Sequence, residues 1–214
     1  MGMDGPPGTT FGLLRHGQTI WNREGRIQGQ DDSPLSPEGE RQCLAWGKRL
    51  REFPWERILV SDLGRARRTA DLVNESLGVP VTVDQRLREQ DWGRWRGLTL
   101  RQITTDSADE LERQVNAGWH FRPPDGENRL HLLERSRLAL ADAARQYEGQ
   151  TILVITHEGV IKALLNRLSN RMFLPGEGPL MEPLHLHFLR HDGRELHLLQ
   201  INAVPLKNAE TDTG

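Results

Sequence analysis

Short apolar runs alternate with amphipathic segments along this chain of 214 residues. The runs at 11–14, 57–60, 81–83 and 151–155 have the length of buried strands. The segments between them carry apolar residues at helical spacing. Strands that alternate with helices are typical of a layered α/β fold rather than of separate all-α and all-β parts.

Helix boundaries follow from local signals. Ser36 and Pro37 form an N-cap and first-turn pair. A second helix is predicted over 64–77, ended by Gly78, a third over 129–148, and a fourth from near Glu158. Cys43 falls on the apolar face of the first helix, which favours a core thiol over a nucleophile.

Residues 184–201 alternate around an Asp-Gly pair, the pattern of a β-hairpin. His185 and His187 then share one face of the hairpin. We expect a solvated or partly covered polar face there rather than a metal pair, since no acidic or sulfur ligand lies close in sequence. The apolar hairpin positions could equally be core or interface, which leaves a homodimer open.

The least regular segment is 98–128, where we expect one short amphipathic helix at most. A long excursion in a tight α/β alternation can be a lid or a substrate wall, and a surface decoration is the equal alternative. Trp119, Phe121 and Arg122 would supply the wall, with Arg122 as a second anion contact. The expected organisation is a flexible lead-in over 1–10, one domain over 11–204 with this cap-like insertion, and a polar tail over 205–214.

The overall charge and composition limit the classes of partner that the chain is expected to bind. The formal charge of −2 and the pI near 6.5 provide no basic field for nucleic acid or an anionic membrane. No apolar run approaches the ~20 residues of a membrane span, and the first residues do not resemble a signal peptide. A single cysteine is compatible with the cytoplasm, which is the expected location.

Charged and imidazole side chains follow three of the predicted strands. Arg15 and His16 come after the first, Arg65 opens the helix after the second, and His157 follows the strand at 151–155. Ligands of open α/β sheets bind outside the carboxyl ends of the strands. We therefore expect these side chains to meet at one sheet edge.

Two guanidinium groups and two imidazoles suit a phosphoryl group. Arginine matches phosphate oxygens with a permanently charged fork, and positive neighbours keep an imidazole neutral and nucleophilic. Expulsion of an alkoxide also needs a proton donor. Glu89, near Trp92 and Trp95, is the candidate, and a salt bridge to Arg86 or Arg88 is the equal alternative.

Five motifs carry a family resemblance. "LLRHGQTIWN", "DDSPLSPEGERQ", "SDLGRARRTA", "LREQDWGRWRGLT" and "ITHEGVIKALL" occur in order, and "PPDGEN" resembles a segment that precedes a long helix. Together they resemble the histidine phosphatase superfamily, also called the phosphoglycerate mutase-like family. The resemblance implies a three-layer α/β/α sandwich with a mostly parallel central sheet and a short cap insertion.

The resemblance also implies roles. His16 becomes the phosphate-accepting nucleophile, and Glu89 the proton donor and later the base for water. The phosphate pocket would comprise Arg15, Arg65 and His157, with Asn22 reaching the phosphate. No metal or cofactor is expected, and the partner would be a small phosphomonoester.

Two positions depart from the family pattern. Glu158 stands where glycine usually follows the histidine, and Asn128 replaces a serine. A carboxylate at 158 either opposes bound phosphate or points away and leaves only its backbone N–H at the site.

The reaction expected is that of a histidine acid-type phosphatase. The short cap and the "DWGRWRG" motif favour hydrolysis over a cofactor-dependent phosphoglycerate mutase. A phosphate-binding module with little turnover is the alternative from another class, and a metallophosphatase is disfavoured because no compact Asp and His cluster accompanies the pocket.

Overall fold

The computed structural model describes residues 8–206. Within them six strands form one sheet in the order β3-β2-β4-β1-β5-β6. The strands are β1 (Thr9–Arg15), β2 (Arg57–Val60), β3 (Val81–Val83), β4 (Thr151–Thr156), β5 (His185–His191) and β6 (Leu196–Pro205). The first four are mutually parallel, β5 is antiparallel to its neighbour β1, and β6 is antiparallel to β5. The prediction of a mostly parallel sheet is confirmed.

Helices connect the strands of this sheet. They are α1 (Ile20–Arg23), α2 (Pro37–Leu50), α3 (Gly64–Leu77), α4 (Leu100–Asp106), α5 (Ala108–Asn116), α6 (Arg129–Gln146) and α7 (Glu158–Leu168). The Ser36 hydroxyl accepts the N–H of Gly39 as the cap of α2, and Gly78 ends α3 in the left-handed conformation. The predicted start of α2 and the predicted span of α3 are confirmed.

Two apolar clusters make the sandwich. Leu132 and Leu140 of α6 and Ile161 and Leu164 of α7 pack on one face of the sheet. On the other face, residues of α2 and α3 pack against the sheet, namely Trp46, Leu50, Ala66, Ala70 and Val73. The helices thus cover both faces, which confirms the three-layer prediction. Cys43 is buried in α2, as predicted.

The segment 98–128 contains more helix than predicted. It holds both α4 and α5 rather than one short helix. Only Ile103 is fully buried across the two helices, and the partly buried Leu111 and Val115 give α5 a narrow apolar stripe. Ile103 packs with Trp95 and Phe121 in a separate small cluster, which forms the core of the cap.

The chain ends differ slightly from expectation. Strand β1 begins at Thr9 and β6 runs to Pro205, so residues at the inner edges of the predicted lead-in and tail belong to the sheet. The remainder of the predicted lead-in and tail, 1–7 and 207–214, lies outside the described residues. No helix over 8–206 has both the length and the apolar character needed to cross a membrane.

The hairpin is confirmed, but its histidine face is not solvated. His187 is fully buried and His185 is partly covered. The same face of β5 carries Leu189, which packs in the cluster of α6 and α7. The helical layer therefore covers this face of the hairpin. The backbone N–H of Asn202 donates to His187 Nδ1 at 3.1 Å.

Candidate active site

The carboxyl ends of three adjacent strands meet where the site residues lie. Arg15 of β1 pairs in register with Thr156 of β4, so the next residues, His16 and His157, emerge side by side. The backbone N–H of His16 donates to the Thr156 carbonyl at 2.9 Å. The two imidazole rings lie with their centroids 5.1 Å apart. The sheet topology alone thus brings together two side chains 141 positions apart in the sequence.

The hydrogen bonds of His16 define its tautomer. Its Nδ1 lies 2.8 Å from the Gly17 carbonyl oxygen, which can only accept, so Nδ1 carries the proton. The Nε2 atom then holds the lone pair. Burial, followed by the charges of Arg15 and Arg65, lowers the pKa of His16 well below its ordinary value. His16 is therefore neutral at physiological pH, and its Nε2 is the ring nitrogen that can accept a hydrogen bond.

Arg65 is fixed beside that nitrogen. Its Nε donates to His16 Nε2 at 3.2 Å, and its guanidinium also donates to the carbonyl oxygens of Asp31 and Gly29, each at 2.8 Å. The side chain is only 1% exposed. A permanent positive charge with fixed geometry at the attacking nitrogen is suited to a phosphoryl group.

Asp32 holds Arg65 and the start of α3 together. Its carboxylate accepts the backbone N–H groups of Gly64 and Arg65 and pairs with Arg65 Nη1 at 3.0 Å. An acidic group at a helix N-terminus is favourable for the helix dipole as well. Sequence reasoning did not single out Asp32, although it lies in the quoted "DDSPLSPEGERQ" motif.

His157 caps the other helix of the site. It is fully buried as the residue before α7, and its Nε2 lies 2.8 Å from the Ser61 hydroxyl. Its Nδ1 has no hydrogen-bond partner among residues 8–206. Burial, then the charges of Arg65, His16 and Arg15, lowers the pKa of His157 well below its ordinary value. A buried ring nitrogen without a partner is the unusual feature here, because such groups are normally satisfied.

Glu89 joins the site from the loop after β3. Its Oε1 accepts the N–H of Gln90 at 2.7 Å, and its Oε2 accepts the N–H of Gly159 at 3.1 Å. Burial raises the pKa of Glu89, and these backbone hydrogen bonds only partly oppose the shift. A raised pKa suits a carboxyl group that must donate a proton.

The salt-bridge alternative for Glu89 is not what the structure shows. Arg86 pairs with Asp84 and Asp142, and Arg88 pairs with Asp62. Trp92 and Trp95, expected around Glu89, pack with Phe121 in the cap cluster.

Gly159 makes the position of Glu89 attainable. A Cβ atom at residue 159 would lie 2.2 Å from Glu89 Oε1, so only glycine permits this approach. The start of α7 therefore supplies two groups to the site. They are the imidazole of His157, which directly precedes the helix, and the backbone N–H of Gly159, which donates to the Glu89 carboxylate.

The two departures from the family pattern have defined places. Asn128 caps α6, its side chain accepting the N–H of His131 at 2.8 Å, so asparagine replaces serine as an equivalent cap. The Glu158 carboxylate lies 2.6 Å from Arg15 Nη1 and also pairs with Lys162. It therefore points toward the predicted phosphate arginine rather than away.

A cleft of about 590 Å³ opens beside His16. Arg15, Asn22 and Glu158 line it near His16, and Asn22 also pairs with Thr19 through reciprocal side-chain and backbone hydrogen bonds. Trp119 and Arg122 are not among the described residues that line this cleft. Trp119 Nε1 donates to the Arg171 carbonyl at 2.9 Å, and Arg122 Nε donates to the Gly126 carbonyl at 2.9 Å.

The wall of the cleft comes largely from a segment that sequence reasoning missed. Thirteen of the residues between 171 and 185 line the cleft, including Phe173, Leu180 and Met181, whereas Met172 and Gly176 do not. Arg129 lines the cleft too, with its guanidinium 4.2 Å from the Phe121 ring centroid and 4.0 Å from that of Phe173. The Pro- and Gly-rich composition of this long loop was the available signal.

The residues that a metal ion would need are not grouped in this part of the chain. Over 8–206 there is no cluster of three or more His, Cys, Asp or Glu side chains placed to hold one.

The family model for the histidine phosphatase superfamily (branch 1) matches residues 11–204. The chain belongs to that superfamily. The match spans β1 to β6 and includes every strand-end residue of the site described above.

Relatives within the superfamily carry both kinds of activity in their names. A probable phosphoglycerate mutase GpmB of Salmonella arizonae is 38% identical over 156 residues, which is 73% of each chain. The structure of Bacillus stearothermophilus YhfR superposes with a TM-score of 0.84 at 31% identity, covering 92% of this chain and 98% of that one. A mycobacterial glucosyl-3-phosphoglycerate phosphatase superposes with a TM-score of 0.79 at 32% identity, covering 91% and 99%.

Proposed function

We propose that this protein is a phosphomonoester hydrolase that acts on small phosphorylated metabolites through a phosphohistidine on His16. The observation that carries the proposal is the neutral His16, whose Nδ1 proton is bound by Gly17 and whose Nε2 lies against Arg65. This is the protonation state and orientation that an attacking imidazole requires.

Binding places the phosphoryl group between cations. Arg15 and Arg65 hold its oxygens, and the unpartnered Nδ1 of His157 provides a further contact as a hydrogen-bond donor. A guanidinium already fixed by Asp32, Asp31 and Gly29 needs little reorganisation when charge spreads over the phosphoryl oxygens.

In the first chemical step the Arg65 Nε–H shifts its hydrogen bond from His16 Nε2 to a phosphoryl oxygen, which frees the Nε2 lone pair. Nε2 then forms a bond to phosphorus as the ester P–O bond breaks. Protonated Glu89 gives its proton to the departing alkoxide oxygen, which leaves as the neutral alcohol. In the second step, ionised Glu89 takes a proton from water as the water oxygen attacks phosphorus. The P–N bond breaks, the lone pair returns to Nε2, and inorganic phosphate is released.

A mutase is the second candidate, because a relative at 38% identity bears that name. A mutase would use the same first step but would return the phosphoryl group to the retained alcohol. The short cap and the neighbour named as a phosphatase favour hydrolysis.

The cytoplasmic location and the homodimer stay predictions from the sequence.

The experiment compares two rates on the same preparation in the presence of a chelator. Phosphate release from a panel of small phosphomonoesters is measured beside the interconversion of 2- and 3-phosphoglycerate, with His16→Ala as background control. We expect phosphate release to dominate and to disappear in the control. Interconversion far faster than release would establish the mutase instead, and tight phosphate binding without either reaction would indicate a binding module.

A further inference from the structure

Glu158 places a carboxylate beside the proposed phosphate site. It pairs with Arg15 at 2.6 Å and with Lys162 one helical turn further along α7. Its side chain is 34% exposed, and Arg15 and Lys162 also line the cleft. One carboxylate therefore bridges two of the cations that line the cleft.

The carboxylate is ionised. Burial alone would raise the pKa of Glu158, but the charges of Arg15 and Lys162 and their hydrogen bonds outweigh burial and lower it. A substrate thus meets a negative charge next to Arg15.

The other cations of the cleft are also engaged. Arg171 lies near Glu177 and donates to the Glu177 and Gly178 carbonyl oxygens. Arg129 donates to the Gly118 carbonyl at 3.0 Å and stacks between two aromatic rings. The described lining holds four cations, Arg15, Arg129, Lys162 and Arg171, and three carboxylates, Glu158, Glu177 and Glu182.

These paired charges affect which alcohol groups of a phosphomonoester the cleft can accept. A second anionic group on that part, such as a carboxylate or another phosphate, would find Arg15 and Lys162 paired with Glu158 and Arg171 beside Glu177. Among the described lining residues this leaves the partly buried Arg129, held by carbonyl oxygens and two rings, as the cation without a carboxylate partner. The second anionic group would also be repelled by Glu158 over a few ångströms, where the interaction is strong in a partly buried site. An uncharged hydroxylated or apolar alcohol meets no such opposition, and Leu180 and Met181 supply apolar surface.

We infer that Glu158 determines the substrate class by neutralising Arg15 and Lys162, so that the enzyme prefers phosphomonoesters whose alcohol carries no second anion. This inference rests on the proposed hydrolase function. Glu158 is here a specificity-determining residue and takes no part in bond making or breaking.

A matched pair of esters tests the inference. Glycerol 3-phosphate and 3-phosphoglycerate differ mainly in a hydroxymethyl group against a carboxylate. The measurement is the ratio of kcat/KM for the first ester to that for the second, in wild type, Glu158→Gln and Lys162→Met. Glu195→Gln, which removes an equal charge from the exposed hairpin turn, is the control.

We expect wild type to favour glycerol 3-phosphate and Glu158→Gln to lower the ratio at least tenfold. Lys162→Met should raise the ratio, because it leaves Glu158 with one cation fewer, and Glu195→Gln should not change it. A Glu158→Gln ratio within threefold of wild type overturns the inference. Glu158→Gly serves as a second variant, since it removes the carboxylate without leaving an amide that can bond to Arg15.

Failure of the proposed function has a different signature. If wild type releases phosphate from no ester of the panel, these two included, the hydrolase proposal fails. Calorimetry then measures the dissociation constants of the two esters for wild type and for Glu158→Gln. The ratio of these constants tests the charge argument in place of the ratio of kcat/KM values.

Discussion

Arg65 donates its Nε proton to His16 Nε2 over 3.2 Å. The same guanidinium is anchored on its other nitrogens by Asp32 and two backbone carbonyls. The nucleophilic nitrogen is therefore oriented by a group whose own position is fixed before substrate arrives, which is the arrangement expected of a preorganised site.

Replacing Arg65 by lysine tests this preorganisation. A lysine ammonium keeps the charge but cannot span His16, Asp32 and the two carbonyls with a planar fork. We expect Arg65→Lys to lower kcat by about a hundredfold or more, the usual scale for loss of one fixed charge-stabilising group. Steady-state phosphate release measures this. Arg68→Lys, at an exposed ion pair with Glu40, is the control and should retain nearly full activity.

Glu89→Gln tests the assigned proton donor through the leaving group. Esters of alkyl alcohols need a proton on the departing oxygen, whereas p-nitrophenolate leaves without one. The first step should therefore slow by about a hundredfold or more for an alkyl ester and far less for p-nitrophenyl phosphate. Rapid-quench detection of phosphoenzyme formation separates this step from hydrolysis. Equal slowing for both esters would contradict the assignment.

The rate of phosphoenzyme formation should depend on pH in the direction that the raised pKa of Glu89 sets. Because burial raises the pKa of Glu89, its proton-donating form persists to higher pH than an ordinary glutamate would allow. Phosphorylation by alkyl esters should fall as pH rises through that pKa, and Glu89→Gln should lack this limb. The lowered pKa of His16 keeps the imidazole neutral, so the rate should not decline at pH just below 6.5.

Gly159→Ala probes the contact between α7 and Glu89. The added methyl would lie 2.2 Å from Glu89 Oε1, so the carboxylate must move away from the Gly159 N–H. We expect a loss of activity on alkyl esters on the order of tenfold to a hundredfold, with a smaller loss on p-nitrophenyl phosphate. Gly176→Ala is the matched control, since a Cβ there meets no atom within 4 Å. Equal activities of the two alanine variants would show that the contact is not needed.

His187 gives a prediction for stability. Burial, then the charge of His185, lowers its pKa from 6.5 to about 4. Between these values the unfolded chain binds a proton that the folded chain does not, so stability falls as pH drops from about 6.5 to about 4. The contribution of this one group is up to about 3 kcal/mol.

Urea unfolding at several pH values checks the prediction for His187. His187→Asn, which can still accept the Asn202 N–H, should flatten the slope of unfolding free energy against pH. The exposed His120→Asn should leave the slope as in wild type. His16 and His157 account for part of the remaining slope, because their pKa values are lowered too.

The central sheet and most of its helices were predictable because their signals are local and strong. Apolar runs marked the strands, Ser36 and Gly78 marked helix ends, and the order of the strand ends placed Arg15, His16, Arg65 and His157 together. The sheet topology then brings residues that are far apart in the sequence next to each other, as the register of Arg15 with Thr156 shows.

The cap helices and the residues that line the cleft were harder to predict from the sequence. Helices α4 and α5 are only seven and nine residues long, so each offers about two turns of hydrophobic pattern, and one short helix was expected where there are two. Trp119 and Arg122 were expected to wall the substrate pocket because an aromatic and a cation stood close together. In the folded chain both are held by backbone carbonyls, of Arg171 and Gly126, and the cleft is walled instead by the loop before β5. Such packing depends on tertiary contacts that no local pattern encodes.

The central claim is that His16 carries the phosphoryl group. The most direct measurement is intact-protein mass spectrometry after rapid quenching of single-turnover mixtures of wild type and His16→Ala with a phosphomonoester. We expect one acid-labile phosphoryl group on wild type, mapped to His16, and none on His16→Ala. Phosphate release by wild type with no such adduct at any quench time, or an adduct that persists in His16→Ala, would contradict it.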